Sequence, residues 1–174
     1  MEFPSKKGRR VVFRTPRWED LDDFLELINS LVEEGADIIR NQKVTRDEEV
    51  EWLARYLTNV EKGRVIGIVV EVDGKAVGNS EVAKGSGSES HVGLLGISIA
   101  RDYRNLGIGT KLIGLLIEES RKAGLKLIVL DVVDRNERAR HVYEKAGFKI
   151  AGVIPKMSST RDGYFGMVRM YLEL

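Results

Sequence analysis

Residues 91–110 read HVGLLGISIARDYRNLGIGT, and the fold turns on this stretch. Its first half, 91–100, is a nearly continuous apolar run, the pattern of a central strand covered on both faces. Its second half places Arg101, Arg104, Gly107 and Gly109 just before a helix predicted to run to about Ala123. Cations, unhindered backbone N–H groups and the positive end of a helix dipole together suit a polyphosphate. A Cβ at 107 or 109 would hold phosphate oxygens away from the amides, and the local backbone can exclude one as well. An ordinary strand-to-helix turn with two solvated arginines has the same composition. The surrounding sequence has to decide between them.

Working outward, LKLIVLDVV (125–133) predicts another buried strand, parallel to 91–100 through a right-handed crossover. A short helix at about Asn136–Ala146 follows, then two strands around Asp162-Gly163. On the amino side, VVFR (11–14) predicts a strand. The next segment, from about Trp18 to Glu34, predicts a helix with an apolar stripe of Leu21, Phe24, Leu25, Ile28, Leu31 and Val32 and a cap at Gly35. Thr45 and Glu48 form a capping-box pair that opens a second helix, ending at Gly63. VIGIVVEV and KAVGNSEVA make a hairpin about Asp73-Gly74, and a Gly/Ser-rich loop, GSGSES, leads back to residue 91. The order implies one α/β domain over 1–174. Its sheet is mixed and mostly antiparallel, with six to seven strands, helices on both faces and a central parallel pair. Residues 1–10 read as a solvated basic tail. Gly93 and Gly96 allow two readings: a bulge that splays the strand from 125–133, or close packing against a helix.

Composition narrows the function. The 174 residues suffice for one full core, and a formal charge of +1 gives no global attraction to nucleic acid. The chain has no Cys and two His, which excludes disulfides, thiolate metal sites and a Cys nucleophile, and argues against a zinc centre. No metal is expected. Nor does any apolar run approach the ~20 residues of a membrane span, and the basic start lacks the apolar core of a secretory signal. The expectation is a soluble cytoplasmic protein with no membrane or nucleic-acid partner.

Three phosphate motifs compete for the loop. A Walker A loop needs GxxxxGK[ST], whose spacing Gly107-Ile108-Gly109-Thr110-Lys111-Leu112 does not have. A dinucleotide fingerprint needs GxGxxG. Here Leu112 occupies the third glycine, and too little chain follows Asp131 for a second mononucleotide half. The third pattern, (R/Q)xxGxG followed by a small or hydroxyl residue, is met by Arg104-Asn105-Leu106-Gly107-Ile108-Gly109-Thr110. A second pattern, NxxAxxxYxxxGF, is met by Asn136, Ala139, Tyr143, Gly147 and Phe148. On these two motifs the chain resembles the GNAT N-acetyltransferases. The likeness extends more weakly to VVFRTPRWEDLDDFLEL, the Asp73-Gly74 hairpin and the closing GYFGMVRMYLEL. It departs at Gly166, where many relatives carry an Asp.

The resemblance implies acetyl-CoA as co-substrate, with its pyrophosphate on residues 104–110 and its pantetheine arm along Ile97, Ser98 and Ile99. The named donor-binding residues are thus Ile97, Ser98, Ile99, Arg104, Asn105, Gly107, Ile108, Gly109, Thr110, Asn136 and Tyr143. The acceptor it implies is a primary amine: a small molecule, an amino acid or a protein N-terminus. Transfer is by direct attack, which requires no covalent enzyme intermediate. Tyr143 is the general acid, on the expectation that the site lowers its pKa towards that of a thiol; Ala139, Val142, Tyr143 and Ala146 also have the spacing of a core stripe. Asn136 would bond the pantetheine arm, although it also sits where an N-cap belongs. Glu81 and His91 are the candidate bases. Acceptor choice falls to the linker between the first two helices, with Glu33, Glu34 and Arg40, and to the turn at Arg161–Tyr164. Alternatives are a non-catalytic acyl-CoA sensor and a nicotinamide-dependent oxidoreductase. A homodimer is left open.

Overall fold

The computed structural model of the chain describes residues 1–6, 8–38, 40–160 and 163–174, Thr160 by its backbone alone. Its strands are β1 (Glu2–Pro4), β2 (Arg10–Arg14), β3 (Val65–Val72), β4 (Lys75–Lys84), β5 (Val92–Ile99), β6 (Leu127–Val133), β7 (Lys149–Thr160) and β8 (Gly163–Glu173). The helices are α1 (Leu21–Glu33), α2 (Arg46–Glu61), α3 (Ile108–Lys122) and α4 (Glu137–Lys145), with a turn of 3₁₀ helix at Trp18–Asp20 leading into α1. All the strands form one sheet in the order β1-β2-β3-β4-β5-β6-β8-β7, antiparallel except for the parallel pair β5 and β6. Among the described residues no helix is long and apolar enough to cross a membrane.

Alternation along β3 divides the core. Ile68, Val70 and Val72 pack with Leu112, Ile113, Leu116 and Ile117 of α3, whereas Val69, with Ala76 of β4, packs with Phe24, Leu27 and Leu31 of α1 and Leu53 and Tyr56 of α2. Helices therefore cover both faces. The capping box at Thr45 and Glu48 is formed, and Gly35 and Gly63 take positive φ after α1 and α2. Tyr56 fastens α2 to the sheet, its hydroxyl donating to Asn79 Oδ1 at 2.9 Å, with the Ser80 carbonyl at 3.1 Å. Under α1, Arg14 forks onto Asp20 at 2.6 and 2.8 Å and reaches Glu71 at 2.6 Å.

Several expectations change. The sheet has eight strands because part of the expected tail is structured: Glu2–Pro4 pairs with β2, and the N-terminal ammonium donates to the Phe13 carbonyl at 2.8 Å. β5 is not covered on both faces, for Leu94 is 49% exposed and Gly96 is open. Neither β5 glycine is a bulge in the ladder with β4, whose register runs without a shift; the pairing with β6 ends at Leu94, before Gly96. Gly93 is instead packed closely against the neighbouring strand and not against a helix: a Cβ would stand 2.4 Å from Val82 Cγ1 of β4. The turn named for acceptor choice lies partly outside the described residues, at Arg161 and Asp162.

Candidate active site

The site begins where β5 and β6 part. They pair from Val92 opposite Leu127 to Leu94 opposite Val129, and β5 then continues to Ile99 beside β4 alone. On β5, the His91 carbonyl accepts from Lys126 and Leu127, on the β6 side, while the Val92 carbonyl accepts from Gly85 and the Ala100 amide donates to Val77, on the β4 side. Alternation then sends the backbone groups of Leu95, Ile97 and Ile99 towards the gap. Arg104 Nε takes the Ile99 carbonyl at 2.9 Å. The rest of that edge is available to an extended ligand.

Beside the gap, α3 starts at the loop named above. Gly107 is its N-cap at φ +80°, a conformation that costs a side-chain-bearing residue steric energy. The first turn of α1, α2 and α4 carries acids, but that of α3 carries none, so its own first turn offers no carboxylate to offset its positive end. The bond from the Lys111 amide to the Gly107 carbonyl, at 3.4 Å, leaves the amides of residues 107 to 110 at the open end of the helix. Gly109 has no positive φ; its missing Cβ leaves open space, with Ile99 Cδ1 at 3.9 Å as nearest neighbour. Arg104 does not offer a free cation. Its guanidinium is paired to Glu34 at the end of α1, and Arg101 reaches the same carboxylate at 4.0 Å. Lys6, which the sequence left in the tail, brings its Cε over Gly107 and bonds the Leu106 carbonyl through its amide at 3.4 Å.

Two cavities meet at the gap. The first, about 1020 Å³, is bounded by the 34–38 linker, Ile97–Ile99, the 101–110 loop and the start of α4. The second, about 510 Å³, lies under α1 and α2 and reaches Glu81 of β4, Leu94–Ser98 of β5 and Asp131–Val133 of β6. Ile97, Ser98, Asn136, Ala139 and Tyr143 border both. Asn136 caps α4, its Oδ1 accepting from the Ala139 amide at 3.1 Å, and still faces the space. Tyr143 packs edge-on against Phe148, with centroids 5.8 Å apart, so it serves the core stripe and the cavity wall together. Desolvation raises its phenol to about 12, opposite to the lowering expected. Desolvation also raises Glu81, which lines the second cavity.

Other named residues fall elsewhere. His91 is exposed at the amino end of β5 and borders neither cavity, so it is not brought to the gap. Glu33 pairs with Lys43 on the surface, and Glu34 lines the first cavity, while Arg40 lines the second. Tyr164 is 72% exposed. Gly166 donates its amide to Asp134 Oδ2 at 3.0 Å, and a Cβ there would stand 2.6 Å from that oxygen. An Asp at 166 would press a second acid onto Asp134, a physical reason for the glycine. Asp131 is bound by Arg169 at 2.9 and 2.7 Å, which removes it from a ribose-binding role. Glu49 and Trp52 of α2, which no motif marked, also line the second cavity.

A profile of the acetyltransferase (GNAT) family matches residues 24–148. "Probable N-acetyltransferase camello" of Xenopus tropicalis is 38% identical over 81 residues, 47% of this chain but only 37% of that protein, so the match spans well under two thirds of the relative. The L-amino acid N-acyltransferase MnaT of Escherichia coli (strain K12) is 24% identical over 168 residues, 92% of each chain. Among solved structures, a phosphinothricin acetyltransferase from Sinorhizobium meliloti in complex with AcCoA has the same fold. It superposes with a TM-score of 0.84 at 16% identity, over 94% of this chain and 88% of that one. A sheet split between two cavities, a helix at the split whose first turn holds no acid and a family match across most of the chain agree: the chain belongs to the GNAT acetyltransferase family.

Proposed function

We propose that the protein transfers the acetyl group of acetyl-CoA to a primary amine of a small molecule, an amino acid or a protein N-terminus. The observation that carries this is the pair of cavities that meet at Tyr143 and Ser98, one beside the α3 amides and the other under α1 and α2. A donor and an acceptor can enter from separate sides and meet at the split.

Bound acetyl-CoA supplies an activated acyl group and a thiolate leaving group. The amides of Gly107, Ile108, Gly109 and Thr110 hold its pyrophosphate, with Asn105 at the loop's turn and Lys6 adding charge. Leu95, Ile97 and Ile99 offer backbone partners to the pantetheine arm, Ser98 and Asn136 border its path, and Arg104 braces the strand end rather than binding phosphate. The amine has to be neutral to attack. Glu81, its carboxylate made more basic by burial, accepts the amine proton through water in the second cavity. As the new C–N bond forms and the C–S bond breaks, Tyr143 gives its proton to the departing sulfur. The raised phenol is fully protonated at neutral pH, as a donor must be.

Release of free CoA across a panel of amines tests the reading. The chain has no Cys, so a thiol-reactive dye reports CoA alone. Acetyl-CoA binding by calorimetry without turnover on any amine would replace it with the sensor reading. A homodimer is part of the proposal, on the exposed apolar side chains Ile150, Val153, Ile154 and Met157 of the edge strand β7. A monomer mass in light scattering removes that part alone.

A further inference from the structure

The second cavity holds a charged group for which acetyl transfer has no use. Glu49 stands in the first turn of α2, where an acid ordinarily faces water and complements the helix dipole. Asp47 and Glu48 already fill that place, Glu48 folding back onto Thr45. Glu49 instead turns inward and is 5% exposed. No ion pair or side-chain hydrogen bond among the described residues reaches its carboxylate. Arg40 is the cation it feels, from beyond ion-pair distance. The sealed, unpaired side-chain atoms among the described residues are Ser120 Oγ and Arg140 Nε, so the Glu49 oxygens keep accessible surface, and Glu49 is part of the cavity lining.

Trp52 follows one helical turn later and lines the same space. Its ring is fixed by stacking on Tyr56, with centroids 4.9 Å apart and planes at 23°, and by a T-shaped contact with Phe24, centroids 5.7 Å apart. A carboxylate and an indole in one cavity wall suit an alkylammonium or guanidinium group. The balance of charge agrees. With Asp37 taken by Arg135 and Asp131 by Arg169, the lining leaves Arg40 against Glu49 and Glu81.

We infer that the acceptor is dicationic: a diamine, or a molecule with a lysine- or arginine-type group, whose reacting amine meets Glu81 while its second cation sits on Glu49 and Trp52. This rests on the second cavity being the acceptor side, as proposed above. The two carboxylates then have separate tasks, Glu81 at the nitrogen that reacts and Glu49 at the one that does not.

Acetylation of 1,5-diaminopentane and 1-aminopentane by the wild type, Glu49→Gln and Trp52→Leu tests it, with acetyl-CoA affinity measured on each variant as a check of folding. The expected kcat/KM ratio of diamine to monoamine is ~10-fold or more in the wild type, as for a charge-assisted contact, and falls to within about 2-fold in Glu49→Gln. Trp52→Leu should lower the ratio in part. Equal use of the two amines by the wild type, or a ratio that survives in Glu49→Gln, overturns the Glu49 assignment while leaving acetyl transfer intact. Absence of CoA release with every amine overturns the acetyl-transfer reading itself.

Discussion

Replacing Tyr143 by Phe removes one oxygen from the wall shared by the two cavities and keeps the ring against Phe148. The phenol stands at about 12 and a free thiol near ~8.5, so a complete proton transfer is uphill by roughly 5 kcal/mol at 1.36 kcal/mol per pH unit. Burial that raises the phenol also raises the thiol beside it, which narrows the gap as the C–S bond lengthens and charge gathers on sulfur. A hydrogen bond to that charge is worth ~1.5–3 kcal/mol, and general acid catalysis typically ~10²–10⁴ in rate. Tyr143→Phe should therefore lower kcat by a factor of ~10²–10³, with the KM for acetyl-CoA changed by less than about 3-fold. Release of CoA followed from pH 6 to 10 supplies both quantities. The wild-type profile should not descend near pH 10, because the acid keeps its proton to about 12. Full activity in the variant, or a descending wild-type limb at the ordinary tyrosine value, refutes the assignment.

Gly109→Val should keep the fold, since its Cβ enters open space, yet weaken acetyl-CoA binding ~10-fold or more in calorimetry; an unaltered Kd would take the phosphate away from this loop. Gly107→Ala should also cost about 1–2 kcal/mol of stability through its positive φ, read as a lower unfolding midpoint. Arg14→Ala leaves the buried Asp20 carboxylate without its ionic partner, with the Arg17 amide still donating to it, and should cost about 3–5 kcal/mol in denaturant unfolding; a loss below ~1 kcal/mol would show the pair to be solvated. Burial raises Glu49 and Glu81, so between the ordinary value of 4.5 and the raised ones the folded chain binds more protons than the unfolded chain. Their contribution to stability thus falls as pH rises through that window and stays lost above it. Glu49→Gln should raise Tm near pH 7 by on the order of a few degrees and flatten that dependence; an unchanged Tm at both pH 4 and pH 7 would contradict it.

How much of this was legible in the sequence depends on the range of the interaction. The existence of α1 and α2 was readable because capping box and terminal glycine are local, but the buried stripe of α1 was read only in part: Leu27 is buried, while Leu25, Ile28 and Val32 are half-buried. The 104–110 loop was readable because glycine spacing is local too. β1 was not, because Glu-Phe-Pro becomes a strand only through Val11, Val12 and Arg10 across the hairpin. The apolar run of β5 suggested cover on both faces, whereas Leu94 borders the space under α1 and α2. Arg104 looked like a phosphate cation because Glu34, distant in sequence, is what neutralises it. Glu49 gave no signal at all, since an acid in a first helical turn is commonplace and only the packing of α2 on the sheet turns it inward. The direction of the Tyr143 shift was missed for the same reason: desolvation belongs to the assembled wall.

The gap between β5 and β6 is made of main-chain bonds left unformed, so its width is inherited from two diverging backbones rather than from any side chain. On the proposed function, single replacements along the lining under α1 and α2 redraw which nucleophile is admitted while the proposed grip on the thioester, largely amide and carbonyl, stays as it was. Acceptor choice and donor binding then rest on different parts of the chain, side chains for the one and the sheet's own main chain for the other.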